Sequence, residues 1–78
     1  MVWLPTSYVL INMEEFEPKL LETLRNVKGV VEAYAVYGVY DVIVKTKADT
    51  MEKLKETHDR IRKLPEVRQT LTMIAHED

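Results

Sequence analysis

The same order of signals occurs twice in this chain. An apolar, β-rich run leads into acidic residues. Leucines and other apolar residues at helical spacing follow, then a short stop and a strand that opens on valine. The first copy runs from Ser7-Tyr8-Val9-Leu10-Ile11-Asn12-Met13 through Phe16, Leu20, Leu21, Leu24 and Val27 to Gly29-Val30-Val31. The second runs from Tyr40–Lys47 through Met51, Leu54, His58, Ile61 and Leu64 to Pro65-Glu66-Val67. Apolar residues at a period of 3.6 mark one buried helix face, and β-branched runs bounded by turn residues mark strands. The chain therefore reads β-α-β-β-α-β. Two split β-α-β units make a ferredoxin-like α+β sandwich, a four-stranded antiparallel sheet with both helices on one face.

Local signals set the boundaries. The first strand, Ser7–Met13, is nearly continuous in its apolarity and reads as a buried central strand. Pro18 is tolerable only in the first turn of the helix that follows, where acidic residues suit the dipole, and Gly29 reads as its C-terminal cap. The second strand spans Val30–Tyr37. Gly38-Val39 reads as a two-residue type II′ connection to an antiparallel third strand, Tyr40–Lys47. Asp49 with Glu52 three residues on reads as a capping box, Pro65 ends the second helix, and the fourth strand covers Val67–Ala75. His76-Glu77-Asp78 is a polar tail.

Size and composition narrow the function. A chain of 78 residues makes one domain, 1–78, whose single core is marginal. With no cysteine, neither a disulfide nor a thiolate metal site supplies a staple. Self-association is the expected source of extra stability. No signal peptide opens the chain, and no apolar run approaches the roughly 20 residues needed to cross a bilayer, so a cytoplasmic protein with no membrane partner is expected. The 11 basic residues are spread along a chain of net charge −2. The densest group, Arg60, Arg62 and Lys63, suits a helix C-terminus, so direct nucleic-acid binding is not expected.

With two helices on one face, the other face of the sheet needs a cover. Strand alternation assigns Tyr40, Val42 and Val44 to the helix side with Val31, Ala33, Ala35 and Tyr37. It leaves Asp41, Ile43 and Lys45 on the open side with Tyr34 and Val36. Arg68, Thr70, Thr72 and Ile74 alternate with Val67, Leu71 and Met73, and the open face is expected to carry Thr70 and Thr72. A half-apolar sheet face in a small domain calls for a second copy, packed sheet against sheet as in dimeric α/β barrels.

Few residues point to chemistry. Asp41 follows the turn and could accept from an ammonium while exposed turn N–H groups hold a carboxylate. It could equally be a solvated acid at a hairpin mouth. His58 lies on an apolar helical stripe, where a packed histidine is commoner than a ligand. Ser7 lacks a nucleophile elbow, His76 lacks companions at metal-ligand spacing, and no cofactor motif is present. Tyr8, Tyr34, Tyr37 and Tyr40 could form a stacking platform, but the third strand lacks the basic-Gly-aromatic signature of the RNA-recognition fold.

The segments Gly29-Val30-Val31-Glu32-Ala33-Tyr34, Val36-Tyr37-Gly38-Val39-Tyr40-Asp41-Val42-Ile43-Val44-Lys45 and Val67-Arg68-Gln69-Thr70-Leu71-Thr72 resemble the effector domain of the Lrp/AsnC, or feast/famine, transcription regulators. That domain is called RAM, for regulation of amino acid metabolism, and the resemblance covers residues 6–76. It implies a non-enzymatic module that binds an amino-acid effector between dimers, forms homodimers and octamer-like homo-oligomers, and co-assembles with full-length Lrp/AsnC regulators. The ligand positions it implies are Tyr37, Gly38, Tyr40, Asp41, Thr70 and Thr72. Backbone and hydroxyl donors would take the effector carboxylate, and Asp41 its ammonium. Family members commonly carry an acid after the turn glycine, where this chain has Val39. They also carry an N-terminal helix-turn-helix, for which this sequence leaves no room, so a stand-alone RAM module is expected. Two other readings compete: a small dimeric α/β-barrel enzyme of the ABM monooxygenase type, with His58 in its cleft, and a ligand-free oligomerisation module.

Overall fold

A computed structural model describes residues 3–76. In chain order the elements are β1 (Thr6–Met13), α1 (Lys19–Arg25), β2 (Val30–Ala35), β3 (Val42–Lys47), α2 (Met51–Arg62) and β4 (Val67–Ile74). The strands form one antiparallel sheet in the order β2-β3-β1-β4, the ferredoxin-like arrangement. β1 is central, as its unbroken apolarity predicts.

The register aligns side chains into rows across the sheet. On the helix side one row is Ala33-Val44-Val9-Thr72 and the next is Ala35-Val42-Ile11-Thr70. Val9, Ile11, Val42 and Val44 are sealed there under Leu20 and Leu24 of α1 and Ile61 of α2. On the open side the rows are Tyr34-Ile43-Leu10-Leu71 and Glu32-Lys45-Tyr8-Met73.

The two halves repeat in hydrogen bonding as well as in sequence. After α1, Val27 N–H donates to Leu24 O, and Val30 N–H to Val27 O. After α2, Leu64 N–H donates to Ile61 O, and Val67 N–H to Leu64 O. The two connections share the hydrogen-bond pattern but bend differently. Gly29 takes the positive φ (101°) that a third turn position of type II requires, while Pro65 presets the second position.

Several boundaries depart from the sequence expectations. α1 starts only after Pro18, and Phe16 is exposed outside it. Asn26 caps its C-terminus and Gly29 belongs to the following turn. α2 is capped by Thr50, not Asp49: Thr50 is extended and its Oγ1 accepts from Lys53 N–H. A register shift between Val30 and Glu32 turns Val30 onto the core and leaves Val31 exposed, against its expected helix-facing role.

Candidate functional site

The β2–β3 connection is longer than a two-residue turn. The last ladder pair is Ala35 with Val42, and Val36 N–H donates to Asp41 O at 2.9 Å, enclosing the four residues Tyr37–Tyr40. Gly38 (φ 127°) has open space where a side chain would stand. Tyr37 and Val39 project into solvent, whereas Tyr40 is half-buried. β1 is the cause. Asp41 N–H donates to Ile11 O at 2.9 Å, and Asp41 Oδ2 accepts from Met13 N–H at 2.8 Å. These bonds hold Asp41 one residue off the register that pairs Ile11 with Val42, and so open the hairpin. β3 therefore begins at Val42, and the alternation that assigned faces to Tyr40 and Asp41 does not extend to them.

Asp41 is thus partly structural. Its carboxylate stands in for a strand carbonyl at the end of β1. The second carboxylate oxygen has no donor among the described residues.

Thr70 and Thr72 stand on the face opposite to the one expected. They pair with Ile11 and Val9, whose side chains are buried under the helices, so both threonines point to the helix side and are half-buried at the sheet edge. Leu71 and Met73 take the open side instead. Within one copy the hairpin and Thr70 flank β1 on opposite sides, about two strand spacings or roughly 10 Å apart. One chain therefore does not gather Asp41 and the threonines around one small molecule.

The open face is correspondingly more apolar than the sequence reading predicts. Tyr8, Leu10, Tyr34, Ile43, Leu71 and Met73 occupy adjoining positions on it, and Tyr34, Leu71 and Met73 are each about half exposed.

A buried polar cluster escaped sequence reasoning. Ser7 and Thr46 are cross-strand partners on the helix side, and their hydroxyls meet at 2.5 Å. Ser7 Oγ also lies 2.6 Å from His58 Nε2 of α2. Ser7 and Thr46 are fully buried and His58 nearly so. Burial pushes the His58 pKa below its ordinary 6.5; Arg62 adds to that shift and Asp59 opposes it. With the imidazole neutral, Ser7 Oγ bridges His58 Nε2 and the Thr46 hydroxyl, so each of these buried polar atoms has a partner. The cluster ties α2 to the sheet at the β1–β3 seam. Alternation could have found it: Ser7 shares a face with Val9 and Ile11, and Thr46 with Val42 and Val44. Among the described residues no His, Cys, Asp and Glu group has the geometry of a metal site, and no helix is long and apolar enough to cross a membrane.

Comparison with known proteins was made at three levels. The Lrp/AsnC ligand binding domain profile matches residues 6–78. No curated protein matches the chain in sequence. Among solved structures, hypothetical protein PHS023 from Pyrococcus horikoshii is 39% identical, with 95% of this chain and 92% of that chain covered and a TM-score of 0.83. FFRP-DM1 is 41% identical, with coverage of 91% and 97% and a TM-score of 0.82. A feast or famine regulatory protein from M. tuberculosis, solved in complex with L-methionine, shares the fold at 20% identity with a TM-score of 0.78; the match covers 95% of this chain and 51% of that one. By the span of the family match and by these likenesses, the chain belongs to the family of Lrp/AsnC ligand-binding domains.

Proposed function

We propose that this protein is a cytoplasmic, non-enzymatic amino-acid sensor that works as an assembly of copies and modulates full-length regulators by co-assembling with them. The observation that carries the ligand reading is the state of Asp41 in a domain of this family. Met13 N–H holds one carboxylate oxygen in place, and the other is available to an ammonium. The opened turn Tyr37–Tyr40 offers main-chain N–H groups to the ligand carboxylate, and Gly38 lets a ligand approach without a side chain in the way. Thr70 and Thr72 are contributed by a neighbouring copy, since within one chain they lie across β1 from Asp41. The relative solved with L-methionine supports a free amino acid as the ligand class. The apolar open face supports a two-fold dimer packed sheet to sheet.

Calorimetric titration with the twenty amino acids tests the ligand reading, with Asp41→Asn as the decisive variant. Asparagine keeps an oxygen for Met13 N–H and removes the charge, whereas alanine would also remove the structural bond. At least one amino acid is expected to bind the unaltered chain and to lose at least tenfold in affinity with Asp41→Asn. If no amino acid binds, or the variant binds equally well, the reading is wrong.

A further inference from the structure

The two ends of the sheet carry opposite charge in concave surfaces. At one end, where β1 begins and β3 finishes, a cleft of about 320 Å³ is lined by Lys28, Lys47, Lys53 and Arg60, with Asp49 and Glu56 beside them. The N-terminus of the twelve-residue α2 lies at this end and adds positive potential. At the other end, where β1 finishes and β4 begins, Glu14, Glu15, Glu17 and Glu66 surround a depression of about 410 Å³, with Lys19 at its edge. Eight residues of β1 separate the two ends, about 26 Å of extended chain. Pairings inside one copy neutralise neither end. Glu56 meets Arg60 at 3.8 Å, and Arg68 meets Glu14 at 3.7 Å, which leaves unpaired cations at one end and unpaired carboxylates at the other.

We infer that the basic cleft of one copy receives the acidic end of a second copy, giving a head-to-tail contact distinct from the pairing of open sheet faces. Charge complementarity selects the occupant. The cleft fits a carboxylate-rich surface, and this chain carries one at a position it cannot fold back to reach. Such a contact is heterologous, so it extends an assembly into a ring or a filament. It does not rest on the amino-acid reading, nor on the sheet pairing: apart from Lys47, the last residue of β3, the clustered cations and carboxylates lie in turns and helices at the ends of the sheet, while the pairing surface centres on Leu10, Ile43, Leu71 and their neighbours. Contacts among exposed charges weaken as the screening length falls from about 30 Å at 0.01 M salt to about 3 Å at 1 M.

Charge exchange tests this with light scattering and sedimentation velocity on the full chain. One variant, Lys28→Glu with Lys53→Glu, makes both ends acidic; the other, Glu14→Lys with Glu15→Lys, makes both ends basic. All four side chains are exposed, and circular dichroism confirms that both variants fold. The unaltered chain is expected to assemble beyond the dimer at about 0.02 M salt and to fall back at about 1 M. Each variant alone is expected to stop short of that assembly, and an equimolar mixture of the two to regain it. Assembly of either variant alone to the size of the unaltered chain would overturn the contact, as would failure of the folded mixture to associate. Amino-acid binding and the sheet pairing are read separately, by calorimetry and by Leu71→Glu, so failure here is distinguishable from failure there.

Discussion

Replacing Gly29 by alanine should be one of the most damaging single-methyl additions in the chain, and its cost should depend on Thr57. Gly29 sits at φ 101°, and an added Cβ would stand 2.2 Å from Thr57 Oγ1, 3.0 Å from its Cγ2 and 3.1 Å from its Cβ. Thr57 has little room to yield. It is 2% exposed, it is β-branched on a helix, and its hydroxyl donates to Lys28 O at 3.1 Å or Lys53 O at 3.3 Å. Two costs add: roughly 1–3 kcal/mol for a non-glycine residue held at that φ, and roughly 1–3 kcal/mol for overpacking. Their sum, roughly 2–6 kcal/mol, compares with a total stability of about 4–12 kcal/mol for a domain of this length. Thr57→Ala alone should cost about 0.5–1.5 kcal/mol through its hydrogen bond. In the double variant the 2.2 Å and 3.0 Å contacts disappear, the backbone cost stays, and Gly29→Ala should become cheaper by about 1–3 kcal/mol. Urea unfolding of the four proteins gives the cycle, with equal m-values as the check on two-state behaviour. Additivity within about 0.5 kcal/mol would refute the steric argument, and so would a single Gly29→Ala cost below about 1 kcal/mol.

The remaining expectations concern charge and the open face. The folded-state pKa of His58 lies below 6.5, so near that pH the unfolded chain binds the proton more readily than the folded one. Stability from this group is complete above pH 6.5 and is lost as pH falls below it. Urea midpoints at pH 7.5 and 5.5 should differ in the unaltered chain, and His58→Gln should flatten that difference; an unchanged slope would place the pH dependence elsewhere. Leu71→Glu, at an exposed position next to Leu10, should convert sheet-paired dimers into folded monomers by sedimentation, with unchanged circular dichroism, and persistence of the dimer would move the interface off this face.

Periodicity and turn chemistry were enough to read the order of elements, the central place of β1 and the inward leucines of α1, because each follows from a few neighbouring residues. The hairpin was legible only as a location. Gly38 marks a bend, but its length was decided by Asp41 bonding to Ile11 and Met13, 28 or more residues away in the chain. The facing of Thr70 and Thr72 was misread for a related reason. Alternation in β4 names two sets of residues, and only the register against Val9 and Ile11 says which set lies under the helices. The site residues that the family resemblance supplies are present in the sequence, but their distribution around β1 is a property of strand order.

By itself, then, the sequence determined the α+β class, the twofold repeat and the absence of any thiol chemistry, since these depend on local spacing and residue type. Tertiary structure decided which hydroxyl meets His58, which methyl group would collide with Thr57, and which residues face outward on the open sheet. Each of those is a contact between segments distant in the chain, set by strand register, and a one-residue change of register turns every side chain of a strand to the other face.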